Sequence, residues 1–197
     1  MVLFVACLTL NPLWCTGLHG EDSVNENPQL VQDRNIGARR LEISYFLHLQ
    51  PRMASNQFAV WIEDSKGNYI DTVFATNYTA RGGYEQRPLS LQEWRESADW
   101  DQAESGNVDA VSGATPLSGK HTAVWDCTDE QGRAVAPGRY IYKMEGNIFW
   151  ENRVVWTGEI ELGNTPDESR AKPRYFPEKA HRKGILLEDV RARYLPE

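Results

Sequence analysis

The stretch "NQFAVWIEDSKGNYIDTVFAT", Asn56 to Thr76, decides the fold. Phe58, Val60 and Ile62 fall on one side of an extended chain, Ala59 and Trp61 on the other. Apolar residues at every second position belong to a strand, because successive side chains point to opposite faces. "SKGN" in the middle is turn chemistry, with Gly67 able to take a positive φ. "YIDTVFAT" then returns, so Gln57 to Thr76 reads as a β-hairpin.

The same period recurs on both sides. In "RLEISYFLHLQ", Leu41, Ile43, Tyr45 and Leu47 alternate with Glu42, Ser44, Phe46 and His48. "HTAVWD", "RYIYKMEG" and "RVVWTGEIELG" read as strands, the last with a bend expected at Gly158. "GILLEDVRARYLP" closes the chain, with Val190, Ala192 and Tyr194 alternating against Arg191, Arg193 and Leu195. The tail "NTPDESRAKPRYFPEKAHRK" is polar, holds three prolines and reads as a loop or linker. About seven strands with turn punctuation predict an all-β fold, an Ig-like antiparallel β-sandwich. It carries one long insertion, residues 77–120, with a short helix at "SLQEWRESA", where Ser90 and Glu93 have capping-box spacing.

A chain of 197 residues fits one domain with extensions, and 41% apolar content supports a core. The net charge is −7, with both signs interspersed and no Lys/Arg run, which argues against nucleic acid and against an anionic membrane surface. Residues 1–20 read as an export signal. Its apolar part, Val2 to Leu10, is too short to span a bilayer, and the second reading is a buried apolar strand. Residues 21–39 read as a flexible leader, and residues 40–197 as the sandwich with its insertion. The expected location is periplasmic or otherwise extracytoplasmic. Of Cys7, Cys15 and Cys127 only the last survives signal removal, so Cys127 reads as a packed residue and not as a nucleophile.

"VWDCTDEQGRAVAPGRYIYKMEG" resembles the Ig-like domain of flagellar hook-capping proteins and related secreted domains. The shared pattern is Trp125-Asp126, an acidic turn with Asp129 closing on Gly132, then Pro137-Gly138 and Tyr140 opening the next strand. Cys127 stands where a glycine is usual. The wider run, including the hairpin, is similar to a family of exported bacterial proteins of unknown function. The resemblance implies an Ig-like sandwich outside the cytoplasm and no flagellar role. From the residues alone, Trp125 is a core anchor and Asp126 and Asp129 fold back onto turn amides. A calcium site from Asp126, Asp129 and Glu130 has too few oxygen ligands in view.

A second resemblance lies in the insertion. Asp109, Ser112, Gly113, Ala114 and Thr115, in "DAVSGAT", are similar to the attachment motif of exported flavoproteins, which include subunits of sodium-pumping and Rnf-type complexes. In that class a flavin transferase joins FMN through a phosphoester to the last hydroxyl, here Thr115. Small residues keep the approach to an acceptor clear, and turn amides can face phosphate oxygens. Trp94 and Trp100, just upstream, are candidates to face the flavin ring. The competing reading is a Gly/Ser loop through which the insertion re-enters the sandwich.

Other chemistry finds little support. His19, His48, His121 and His181 stand far apart, so no metal is expected. No nucleophile elbow, P-loop or dinucleotide fingerprint occurs. The acidic pairs Glu63-Asp64 and Glu188-Asp189 read as solvated surface or strand ends. Two functions remain: a non-catalytic carrier of covalent FMN, exchanging electrons with redox partner proteins, or a structural or protein-interaction module without cofactor.

Overall fold

The computed structural model describes residues 39–52, 55–102 and 105–197, and the side chains of residues 105–107 are likewise outside the description. The expected export signal and leader, with Cys7, Cys15 and His19, lie outside the described residues apart from Arg39.

The strands are β1 (Arg40–Leu47), β2 (Gln57–Asp64), β3 (Tyr69–Thr76), β4 (Ser112–Gly113), β5 (Gly119–Trp125), β6 (Gly138–Phe149), β7 (Asn152–Leu162), β8 (Asp167–Arg170), β9 (Lys172–Phe176) and β10 (Leu187–Leu195). They form a four-stranded sheet, β5-β1-β10-β8, and a six-stranded sheet, β4-β3-β2-β6-β7-β9. All pairings are antiparallel except β3 with β4. The all-β sandwich stands. The expected hairpin is β2–β3, its turn closed by the Asp64 carboxylate on the amides of Lys66 and Asn68, with Gly67 at φ 84°.

The core between the sheets takes Leu41, Ile43, Tyr45 and Leu47 from β1, Phe58, Val60 and Ile62 from β2, and Tyr142 and Met144 from β6. The other face of β2 is buried too. Ala59 and Trp61 join Ala75, Val155, Leu91, Trp94 and Trp100 in a second cluster. The insertion therefore lies on the outer face of the six-stranded sheet as a third layer. Its described residues hold three short helices, α1 (Asn77–Ala80), α2 (Gln92–Ser97) and α3 (Ser105–Val111), plus two 3-10 turns, where the sequence predicts one helix.

Three sequence expectations need correction. Ser90 does not cap α2: its buried hydroxyl meets Thr79 Oγ1 at 2.8 Å, while Glu93 pairs with Lys143 and Arg174. The helix start is satisfied from β6, whose Glu145 Oε2 accepts the Trp94 amide at 2.9 Å and whose Asn147 Oδ1 accepts the Leu91 amide at 3.0 Å. The polar tail is not a linker, because β8 adds an edge to one sheet and β9 to the other. Both are edge strands with largely exposed faces, so they show no apolar alternation, and Pro173 is tolerated at an edge. β6 and β7 pair through Gly158 without a register shift; the missing side chain makes room for the Tyr142 ring. Finally, Glu63 is buried, accepting from the Trp61 indole at 2.9 Å and pairing with Lys143 at 3.0 Å.

The acidic turn behaves as its sequence implies. Asp126 accepts from the Thr128 amide, and Asp129 from the amides of Gln131 and Arg133. Trp125 is buried and its indole donates to the Thr128 carbonyl at 2.8 Å. Cys127 sits at φ 59°, a left-handed conformation that explains why glycine is usual there. The thiol is buried, which pushes its pKa up to about 12 and disfavours the thiolate.

Candidate functional site

The five motif residues lie where the insertion returns to the sandwich. Asp109, exposed on α3, accepts a 2.7 Å hydrogen bond from Arg81 at the end of α1. Ser112 and Gly113 form β4, in parallel register with Ala75 and Thr76 of β3. Gly113 has a packing reason to lack a side chain: a Cβ there would lie 2.7 Å from the Phe74 ring. Ala114 is exposed and Thr115 half-buried. Residues 114–118 then cross from β4, an edge of one sheet, to β5, an edge of the other. Leu117 is 69% exposed at the crossing, and Ser118 accepts the Leu49 amide at 2.9 Å.

Two observations bear on what this segment can hold. Among the described residues the Thr115 hydroxyl has one partner, the Asn56 carbonyl at 3.3 Å, longer than an ordinary O–H···O bond. Ser112 Oγ and Asn77 Oδ1 are buried with no partner among the described residues. Both atoms are sealed from solvent, as are the unpartnered Tyr45 hydroxyl and Trp156 indole nitrogen, so neither offers a surface contact to a ligand. A phosphoester on Thr115 would need an open approach, which the exposed Ala114 and half-buried Thr115 leave. Gly113, explained by Phe74, is neutral between the two readings.

Trp94 and Trp100 cannot face a flavin. Both are buried, 4.6 Å apart between ring centroids, with their indoles bonded to Thr72 Oγ1 and the Ala80 carbonyl. Other aromatics stand at the motif's end of the six-stranded sheet. Tyr78 follows β3 directly, and Trp150 occupies the β6–β7 turn at φ 50°. The Arg87 guanidinium lies 4.7 Å from the Tyr78 ring centre and 5.8 Å from that of Trp150. Sequence reading missed this group because its members lie far apart along the chain. The one local signal is the apolar "IFW" running into a turn, where a tryptophan is unusual.

Among the described residues, no group of three or more His, Cys, Asp or Glu can hold a metal ion, and no helix is long and apolar enough to cross a membrane. His48, with Glu188 at 2.8 Å, and His121, with the Leu117 carbonyl at 2.7 Å, are bonded separately.

No curated protein and no solved structure matches the chain. The model of one family, described as "Predicted periplasmic protein (DUF2271)", matches residues 42–176. This range runs from β1 to the end of β9 and includes the whole insertion. The description agrees with the extracytoplasmic location that the sequence implies. The chain belongs to this family of predicted periplasmic proteins of unknown function.

Proposed function

We propose that the protein is an extracytoplasmic carrier of covalently bound FMN, attached at Thr115, with no substrate turnover of its own. The observation that carries the reading is the weakly bonded, half-buried Thr115 hydroxyl at the end of a sequence similar to the attachment motif. Asp109 holds the segment's start through Arg81, and the β3–β4 pairing fixes Ser112 and Gly113, so Thr115 is offered on a short crossing anchored at both ends. Attachment requires a flavin transferase and an activated FMN donor, a flavin dinucleotide. The Thr115 oxygen bonds to the FMN phosphorus, the pyrophosphate P–O bond breaks, and the nucleotide monophosphate leaves. The hydroxyl proton passes to the transferase. The bound ring then supplies reversible electron transfer between redox partner proteins.

The test is co-expression with a flavin transferase and export to the periplasm. The expected product gains the mass of FMN less one water and shows flavin absorbance, and Thr115→Val loses both. An unmodified wild-type mass under conditions that flavinylate a known acceptor would sink the reading and leave a cofactor-free interaction module.

A further inference from the structure

We infer that Tyr78, Arg87 and Trp150 form the seat of the isoalloxazine ring, a proposal that rests on FMN attachment at Thr115. Trp150 is 53% exposed although it is the largest side-chain type, and its left-handed backbone is disfavoured for a bulky residue. The turn is held by two buried asparagines: Asn147 Nδ2 donates to the Trp150 carbonyl at 3.1 Å, and Asn152 Nδ2 to the Phe149 carbonyl at 3.0 Å. Structure is thus committed to keeping an indole in water.

Arg87 is the second observation. Its guanidinium faces both rings, yet it pairs with no carboxylate among the described residues. Arg81, Arg95, Arg153 and Arg174 each have one, whereas Arg52, over the Phe149 ring, does not among the described residues. A planar cation lying over two partly exposed aromatic rings suits a flat aromatic ligand that carries hydrogen-bond acceptors. The flavin ring, with its two carbonyl oxygens and bare ring nitrogens, is such a ligand.

The seat lies within reach of the acceptor. Thr115 Oγ1 meets the Asn56 carbonyl, the Asn56 amide donates to the Asn147 carbonyl at 3.1 Å, and Asn147 holds Trp150. Neighbouring strands lie about 4.8 Å apart, so the Thr115 crossing and the Trp150 turn are separated by roughly 10 Å. A ribityl phosphate arm spans such a gap.

The experiment uses chain flavinylated by co-expression, with loading measured by intact mass. Indole and phenol rings in contact with a flavin quench its fluorescence. Loaded wild type is expected to emit several-fold less per flavin than loaded Trp150→Asn, a substitution that tolerates the left-handed turn. Tyr78→Ala serves as a second variant, with a smaller rise, and Arg87→Gln is expected to lower the flavin reduction potential. Equal fluorescence from loaded wild type, Trp150→Asn and Tyr78→Ala would overturn the seat alone. Absence of FMN from the wild-type mass would overturn the attachment and the seat together.

Discussion

Glu145 shows how much one residue can set. It reaches from β6 into the third layer, accepts the Trp94 amide and pairs with Arg153 at 3.2 Å. Burial pushes its carboxyl up to about 7, from an ordinary value of 4.5. The folded chain therefore keeps a proton that the unfolded chain loses, so stability falls as pH rises through that window. Glu145 contributes on the order of 2 kcal/mol to this fall. Asp71, pushed up to about 7 by burial and then by Asp126, shares the window. The drop in urea midpoint between about pH 5 and about pH 8 should shrink in Glu145→Gln; an unchanged drop would contradict the assignment. Cys127 offers a cleaner test. Cys127→Gly exchanges lost packing for relief at φ 59° and should change stability by less than about 1 kcal/mol. Cys127→Val, β-branched at a positive φ, should destabilise by about 2 kcal/mol or more. Chemical denaturation separates the two.

At the scale of elements, the third layer depends on Trp94, which seats α2 on the sheet. Trp94→Ala should destabilise by about 3–5 kcal/mol in a denaturant titration. A loss under about 1 kcal/mol would mean that the insertion is not part of the cooperative unit. Between sheet strands, Gly158→Ala should destabilise by about 1–3 kcal/mol, because its Cβ meets the Tyr142 ring. The loss should shrink in a Tyr142→Leu background, and equal losses in both backgrounds would disprove that cause. These elements differ in how legible they are in the sequence. β1, β10 and the second half of β7 bury alternate residues, and period two reveals them; β2 is buried on both faces and shows as an apolar run. β8 and β9 are edge strands with little buried surface, so their pattern is that of a loop. The start of α2 follows tertiary partners, Glu145 and Asn147, that no local capping rule can foresee. The motif Asp109–Thr115 is legible as a string, but its aromatic surroundings are not. The near tryptophans in sequence are interior, and the exposed one comes from a turn thirty-five residues beyond Thr115.

Over the whole molecule, three layers divide the work. Two sheets enclose the main core, and the insertion covers the outer face of the larger sheet. At the end of that sheet the chain crosses to the other one, and Thr115 sits on this crossing. The proposed acceptor, Thr115, shares this end of the sheet with Tyr78, Arg87 and Trp150. Peptide mapping of chain exported together with a flavin transferase tests this most directly. Trypsin cleavage after Arg95 and Lys120 releases residues 96–120, which contain the motif. The account predicts that this peptide alone carries FMN and that fragmentation puts it on Thr115. Flavin on another peptide, or a bare 96–120 peptide from a chain made beside an active transferase, would contradict it.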